Sequence, residues 1–265
     1  MKKSIYVLLL FFTIACCKDK TVFPDELPFT AEKRHIADKI ISVFENADTS
    51  LQYGYIENLD DGRGFTAGRA GFTTANGDLL EVVQIYTALK PTNTLSTYIP
   101  ALQTIADNES GDTSGTIESL GRTWRLLVND PLLRKAQDSV VDIEYYLPAV
   151  EYCKELSLHT PLALLCVYDA IIQHGDGEDP DGLQAIIDGA CKSPDAGGYE
   201  VCWIESFNKS RKKILNHSHD PATRDEWKES VGRVDALEQL FSDKNYSLIT
   251  DFTINPFGTE FVIKP

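Results

Sequence analysis

Residues 44–81 read FENADTSLQYGYIENLDDGRGFTAGRAGFTTANGDLLE. Between Glu45 and Glu81 stand seven carboxylates (Glu45, Asp48, Glu57, Asp60, Asp61, Asp78, Glu81) and two cations, Arg63 and Arg69. Seven acids in 37 residues is close to the average of a chain with 40 Asp and Glu in 265, so their number says little. Their setting says more. The acids alternate with Tyr53, Tyr55, Phe65 and Phe72 and with glycines at 54, 62, 64, 68, 71 and 77. A solvated acidic face needs neither aromatic side chains nor tight backbone turns. A binding cleft equipped with paired carboxyl groups needs all three.

Upstream of this stretch, Thr30 can cap a helix running to about Asn46. Ile36, Ile40, Val43 and Phe44 recur at helical spacing and give it one apolar stripe. Glu45 falls in its last turn, where the negative end of the helix dipole favours a carboxyl that keeps its proton. From Leu51 to Thr74 the pattern changes, and Asp61-Gly62 between two β-prone runs reads as a hairpin or small irregular sheet. Asp78 then reads as a helix cap, with Glu81 completing a capping box. Leu79, Val82, Val83 and Tyr86 form the inward face of that helix.

The remainder is mainly helical. Ile117–Asn129 reads as one helix with Leu120, Trp124 and Leu127 inside, and Pro131 opens a segment to about Leu156 with a bend at Pro148. Thr160-Pro161 starts PLALLCVYDAIIQH, apolar on nearly every side and therefore central and buried. Shorter helices are expected near 182–192, 200–216 and 224–243, and the tail from Thr250 to Lys264 reads as extended. Asp169 is an anomaly in the buried helix, because an unpaired carboxylate there is costly. Arg211 and Arg233, on later amphipathic helices, are the candidate partners. One reading is a buried ion pair that only fixes helix packing. The other reading sets the pair behind the cleft, tuning a carboxyl.

Three bulk features bound the function. Lys2-Lys3 followed by the apolar run Ile5–Ala15, eleven residues long, fits a signal peptide and is too short to span a bilayer. Thr13-Ile14-Ala15-Cys16 approximates a lipobox, so lipid attachment at Cys16 is the preferred reading, with plain secretion or a lipid on Cys17 as alternatives. The expected organisation is a signal peptide over 1–15, a tether over 16–29 and one catalytic domain over 30–265, outside the cytoplasm at the cell surface or secreted. Losing Lys2 and Lys3 takes the formal charge from −15 to −17, which sets nucleic acid aside as a partner and would attract a polycation. Cys153, Cys166, Cys191 and Cys202 permit three pairings, of which the local pairs Cys153–Cys166 and Cys191–Cys202 are the simplest. None has the spacing of a metal site, and no metal or cofactor is expected.

The blocks DDGRGFT and NGDLLE, in this order within residues 55–87, resemble the signature region of the family 46 chitosanases, glycoside hydrolases of the lysozyme-like superfamily. SVFENADTS (42–50), VYDAIIQHG (167–175), residues 193–215 and GRVDALEQL (232–240) resemble further segments of that family. The resemblance covers roughly residues 30–262. It implies a mainly α (α+β), two-lobed, lysozyme-like fold with a small β element and a cleft between the lobes. It further implies inverting hydrolysis of chitosan, with Glu45 as general acid, Asp61 as general base and Thr66 helping to hold the attacking water. Arg63 would orient or screen Asp61. Glu57 and Asp78 would contact glucosamine units, and Asp169, Arg211 and Arg233 would form the charge network behind the acid. An inverting pair stands roughly 6.5–9.5 Å apart.

Each assignment has a plainer alternative. Asp60 competes with Asp61, and only spacing to Gly62-Arg63-Gly64 favours the latter. Asp78 read by propensity alone is a helix cap, and Glu57 a solvated strand residue. His159 and His174 read as helix-end residues, Trp203 and Trp227 as core. The loop 104–118 matches no family segment well. The expected partner is chitosan, bound by a monomer whose membrane contact is only a lipid anchor. A lysozyme-like hydrolase of peptidoglycan and a non-catalytic polysaccharide-binding lipoprotein are the competing functions.

Overall fold

The computed structural model describes residues 19–24, 29–221 and 224–264. The signal peptide and the Cys16 attachment point lie outside the described residues. The first helix, α1 (Ala31–Asn46), begins where Thr30 Oγ1 accepts from Lys33 N at 3.3 Å and ends at Ala47, left-handed at φ 51°. It is followed by the antiparallel strands β1 (Ile56–Asn58), β2 (Phe65–Ala67) and β3 (Phe72–Thr73), in the order β1-β2-β3. The register sets Glu57 opposite Thr66. This is the small β element anticipated around Asp61-Gly62.

Helices α2 (Asp78–Leu89), α3 (Ile99–Asp107) and α4 (Leu120–Leu126) follow. Then comes a continuous helical run of α5 (Pro131–Val141), a π turn (Asp142–Tyr146) and α6 (Leu147–Glu155). Pro148 neither breaks nor sharply ends this run. A proline in an α-helix lacks the N–H and collides with the carbonyl four residues back. The turn before Pro148 is widened instead, and Leu147 N–H reaches Asp142 O, five residues back. Next are α7 (Pro161–His174), α8 (Leu183–Asp188), α9 (Glu200–Asn216), α10 (Arg224–Glu229) and α11 (Val231–Ser242), and the extended tail pairs as β4 (Phe252–Ile254) with β5 (Phe261–Ile263). Among the described residues no helix is long and apolar enough to cross a membrane.

Two lobes follow from the packing. In the first, α2 packs on α5 and α3, and the sheet rests on α2 and α4. In the second, α7 is surrounded by α1, α6, α8, α9 and α11. Every residue of α7 from Pro161 to Ile171 is buried, as its uniform apolarity predicts. The long α5–α6 run belongs to both lobes, its first half on α2 and its second on α7. The described part of the tether is docked, with Phe23 edge-on to Tyr246 at 5.4 Å.

Two local expectations are corrected. Cys153 and Cys166 are free, buried thiols on α6 and α7, so the local bridge between them does not form. Cys191 and Cys202 each take part in a disulfide bond, and no bond between the two is seen among the described residues. The cap of α2 is Gly77 at φ 89°, with Asp78 as the first helical residue, so the capping box around Glu81 is not built. Asp78 Oδ1 instead accepts from Thr73 N at 2.7 Å and Leu79 N at 2.9 Å, tying β3 to the helix.

Candidate active site

Glu45 stands in the last turn of α1, with its side chain 38% exposed to the groove between the lobes. Arg233, from α11, donates Nη1–H to Glu45 Oε1 at 2.6 Å. Behind it Asp169 bridges two guanidiniums, taking Arg233 Nη2 at 2.5 Å on Oδ1 and Arg211 Nη1 at 2.5 Å on Oδ2. Asp169 and Arg211 are wholly buried. Burial alone would push the Asp169 carboxyl up, but the two guanidiniums more than reverse this and hold it below its ordinary value. The sequence-based pairing of Asp169 with Arg211 and Arg233 is therefore formed, and it reaches Glu45.

The network continues past Arg211. His174, at the end of α7, accepts from Arg211 Nε at 3.2 Å and pairs through Nδ1 with Asp181 O at 2.8 Å. Burial, then the nearby Arg211 cation, push its pKa down to about 3, so it is neutral and a packing group rather than a titrating one. Its ring meets Trp227 edge-on at 4.7 Å. Trp227, on α10, is half-buried and lines the cleft, unlike Trp203, which is core.

Asp61 lies in the turn between β1 and β2, two residues before Arg63, which lines the same cavity as Glu45. Arg63 N donates to its Oδ1 at 2.9 Å, and Arg63 Nε and Nη2 donate to its Oδ2 at 3.0 and 2.7 Å. These side-chain and backbone bonds hold Asp61 below the usual carboxylate range. They also distinguish the neighbouring acids: Asp61 is the one gripped by Arg63, while Asp60 occupies the left-handed turn position at φ 54°. Gly64 is left-handed too, at φ 75°, and a Cβ there would overlap the Thr74 hydroxyl. The unmatched loop proves to back this turn. Gly111 lies so close that a Cβ on it would fall 2.5 Å from Gly62 O, and Asn58 Nδ2 donates to Thr113 Oγ1 at 3.1 Å. Thr66, on β2, is buried, and its Oγ1 has no hydrogen-bond partner among the described residues.

A cavity of about 410 Å³ joins the two sides, lined by Glu45, Arg63, Arg69, Tyr145, Trp227 and Arg233 among others. Asp61, Thr66, Glu57 and Asp78 are not among its lining residues, and Asp61 meets it through Arg63. Glu57 is exposed on β1 and takes the Tyr55 hydroxyl at 3.3 Å. Asp78 lies nearer Tyr145, whose hydroxyl is pushed up to about 12 by burial and by the charges of Asp78, Glu144 and Glu45. Burial pushes Asp78 itself up to about 6, against the two backbone bonds it accepts. Tyr145 and Arg69 were not singled out from sequence. The π turn that aims Tyr145 inward has a sequence cause, Pro148, but no residue pattern marks it as part of a cleft.

Residues 39–252 match the family described as Glycosyl hydrolase family 46. The chain is 44% identical over 267 residues to a chitosanase of Bacillus subtilis (strain 168), a match covering 98% of this chain and 94% of that one. It is 36% identical over 239 residues to a chitosanase of Streptomyces sp. (strain N174), covering 87% and 82%. Among solved structures, the Gynuella sunshinyii chitosanase in complex with chitotetraose superposes with a TM-score of 0.77 at 44% identity, over 89% of this chain and 99% of that one.

Proposed function

This chain belongs to glycosyl hydrolase family 46, and from that premise we propose that it hydrolyses β-1,4 linkages between glucosamine units of chitosan, cutting within the chain and inverting the anomeric centre. One observation carries the reading: Glu45 and Asp61 stand on different lobes, each is held by its own arginine, and those two arginines, Arg233 and Arg63, line the same cavity. Asp61, gripped three times by Arg63, stays ionised and takes a proton from the attacking water. The part of Thr66 in holding that water rests on the family resemblance; its hydroxyl is buried on β2. Glu45 protonates the leaving oxygen. With Oε1 occupied by Arg233, the proton belongs on the other oxygen. Once the proton has left, Glu45 and Asp169 balance Arg233 and Arg211, so the network is neutral when the acid has done its step.

The substrate is a polyamine whose amino groups are protonated in mildly acid solution, which suits a chain of formal charge −15. Reducing-end release from highly deacetylated chitosan, run beside bacterial cell walls, tests the reading. Release from cell walls alone would favour a peptidoglycan hydrolase, and binding of chitosan without product would leave a non-catalytic protein.

Two predictions follow from the charges. Arg63→Ala removes the main cause of the low Asp61 pKa, so the base is protonated at a higher pH than before. The acid limb of the kcat/KM profile is expected to move up in pH, with roughly a tenfold loss of kcat from the freed carboxylate. An acid limb that stays in place in Arg63→Ala would remove Asp61 from the role of base.

Asp78→Asn keeps an oxygen for Thr73 N and Leu79 N but cannot ionise. The folded-state pKa of Asp78, about 6, lies above its ordinary 3.8. Its contribution to stability is therefore full below pH 3.8 and is lost as pH rises through 6. The variant should be more stable than wild type by ~1–3 kcal/mol at pH 8 and equal to it near pH 4, as read by thermal melts. If Asp78 also grips an ammonium group, KM for chitosan rises in the same variant.

A further inference from the structure

Glu45 and Asp61 stand on elements that pack on different neighbours. The α1 helix rests on α7 and β5, while the sheet rests on α2 and α4. A second charged network, separate from the one behind Glu45, joins them. Arg69, in the turn between β2 and β3, is only 8% exposed. Its Nη2 reaches Asp38 on α1 at 2.8 Å, and its Nη1 reaches Asp138 on α5 at 2.6 Å. Its backbone N–H donates to Gln137 Oε1 at 3.1 Å, and the Tyr53 hydroxyl donates to Asp138 at 2.8 Å. Asp38 also accepts from Arg34 Nε at 2.9 Å and from the Tyr168 hydroxyl at 3.0 Å. Arg34 in turn pairs with Asp142 on the π turn and lies 3.9 Å from the Tyr146 ring centre.

The placement of Asp38 is the telling detail. It precedes Glu45 by seven residues, two helical turns back on the same face, about 10 Å away along the axis. Arg69 follows Thr66 by three residues and leaves the strand that continues from the Asp61 turn. A single guanidinium thus touches the helix that carries the acid, the turn that continues from the base, and the long helix that runs through both lobes. We infer that Arg69 is a positioning residue for the reaction proposed above: clamped between Asp38 and Asp138, it is the strut that fixes the separation of Glu45 and Asp61. An inverting pair must leave room for one water, and misplacement by about 1 Å can cost on the order of 100-fold in rate. Only a planar fork reaches both anions. A lysine at this position carries the charge but cannot bond both carboxylates in the same geometry.

The plainer account is that these buried pairs only stabilise the fold. Arg69→Lys and Asp138→Asn separate the two accounts, because each keeps a polar group in place and Asp138 is partly exposed. Steady-state kinetics on a glucosamine hexamer, thermal melts and amide hydrogen exchange are measured on the full chain beside wild type. The strut predicts that kcat of Arg69→Lys falls about 10- to 100-fold, with KM within about threefold and Tm within about 5 °C. Amides over 65–73 should also exchange faster than in wild type. Asp138→Asn should move the same way by less, and it decides the matter should Arg69→Lys fail to fold. Unchanged kcat per folded molecule in both variants overturns the inference. So does a rise in KM at constant kcat, which would make Arg69 a substrate contact. A wild type that leaves the hexamer intact would sink the proposed function instead, and the strut then stands or falls on whether exchange over 65–73 accelerates in the variants.

Discussion

Glu45→Gln is expected to lower kcat on chitosan by roughly 10³-fold while leaving Tm within about 2 °C of wild type. General acid catalysis is worth about 10²–10⁴, and a glycosidic oxygen is a poor leaving group unless a proton arrives as the bond breaks. The amide is nearly the same shape as the carboxyl. Its oxygen can still accept from Arg233 Nη1, so the 2.6 Å contact has a replacement. The fold should tolerate the change for a second reason. The Glu45 carboxylate lies at the negative end of α1, where removing a charge is mildly favourable. This offsets the weakened pull on Arg233, which keeps Asp169 as its main partner. The measurement is initial-rate release of reducing ends together with a thermal melt. Near-wild-type turnover in Glu45→Gln would mean that another group supplies the proton and that Arg233 holds Glu45 for structural reasons only.

The parts of this site visible in the sequence are those whose signal is local. Glu45 could be placed at a helix end because Ile36, Ile40, Val43 and Phe44 mark the helix. Asp169 stood out because a carboxylate inside an otherwise apolar helix demands a partner. Asp38 sends the same signal, lying among the buried residues Ile36, Ala37, Ile40 and Ile41 of α1, and could have been found by the same argument. What stayed hidden depends on partners far along the chain. Nothing near Arg69 in sequence announces Asp38, 31 positions earlier, or Asp138, 69 positions later. The difference between Asp60 and Asp61 shows only in the three bonds from Arg63, which reach Asp61. The cap of α2 was misread because Gly77 takes a left-handed conformation and frees Asp78 to bind β3, an arrangement that propensity alone would not select.

Asp169→Asn is the substitution expected to cost the most stability. It leaves Arg211 and Arg233, one wholly buried and the other nearly so, with no anion between them. Removing one partner of a buried ion pair costs about 3–5 kcal/mol, because the remaining charge has neither water nor a counter-ion. For a chain of this size that is a fall in Tm of about 10 °C. The pH dependence has a definite sign. Asp169 has its folded-state pKa lowered from the ordinary 3.8, so its stabilisation is present above pH 3.8 and is lost as the pH falls through the folded value. Asparagine has no proton to gain, so the gap between variant and wild type should narrow as the pH drops below 3.8. Activity should fall along with stability, and the question is whether it falls only because the protein unfolds. Pairing Asp169→Leu with Arg211→Leu answers it. That variant removes the anion and one of its two cations together and replaces them with apolar volume, an exchange that is often nearly neutral for stability. Arg233 then keeps its charge but loses the carboxylate that orients it, and holds on to Glu45 alone. If the double variant recovers most of the Tm yet remains at least about tenfold down in kcat, Asp169 acts on the acid through the orientation of Arg233. If kcat returns with Tm, the network behind Glu45 is a packing device and the acid works without it.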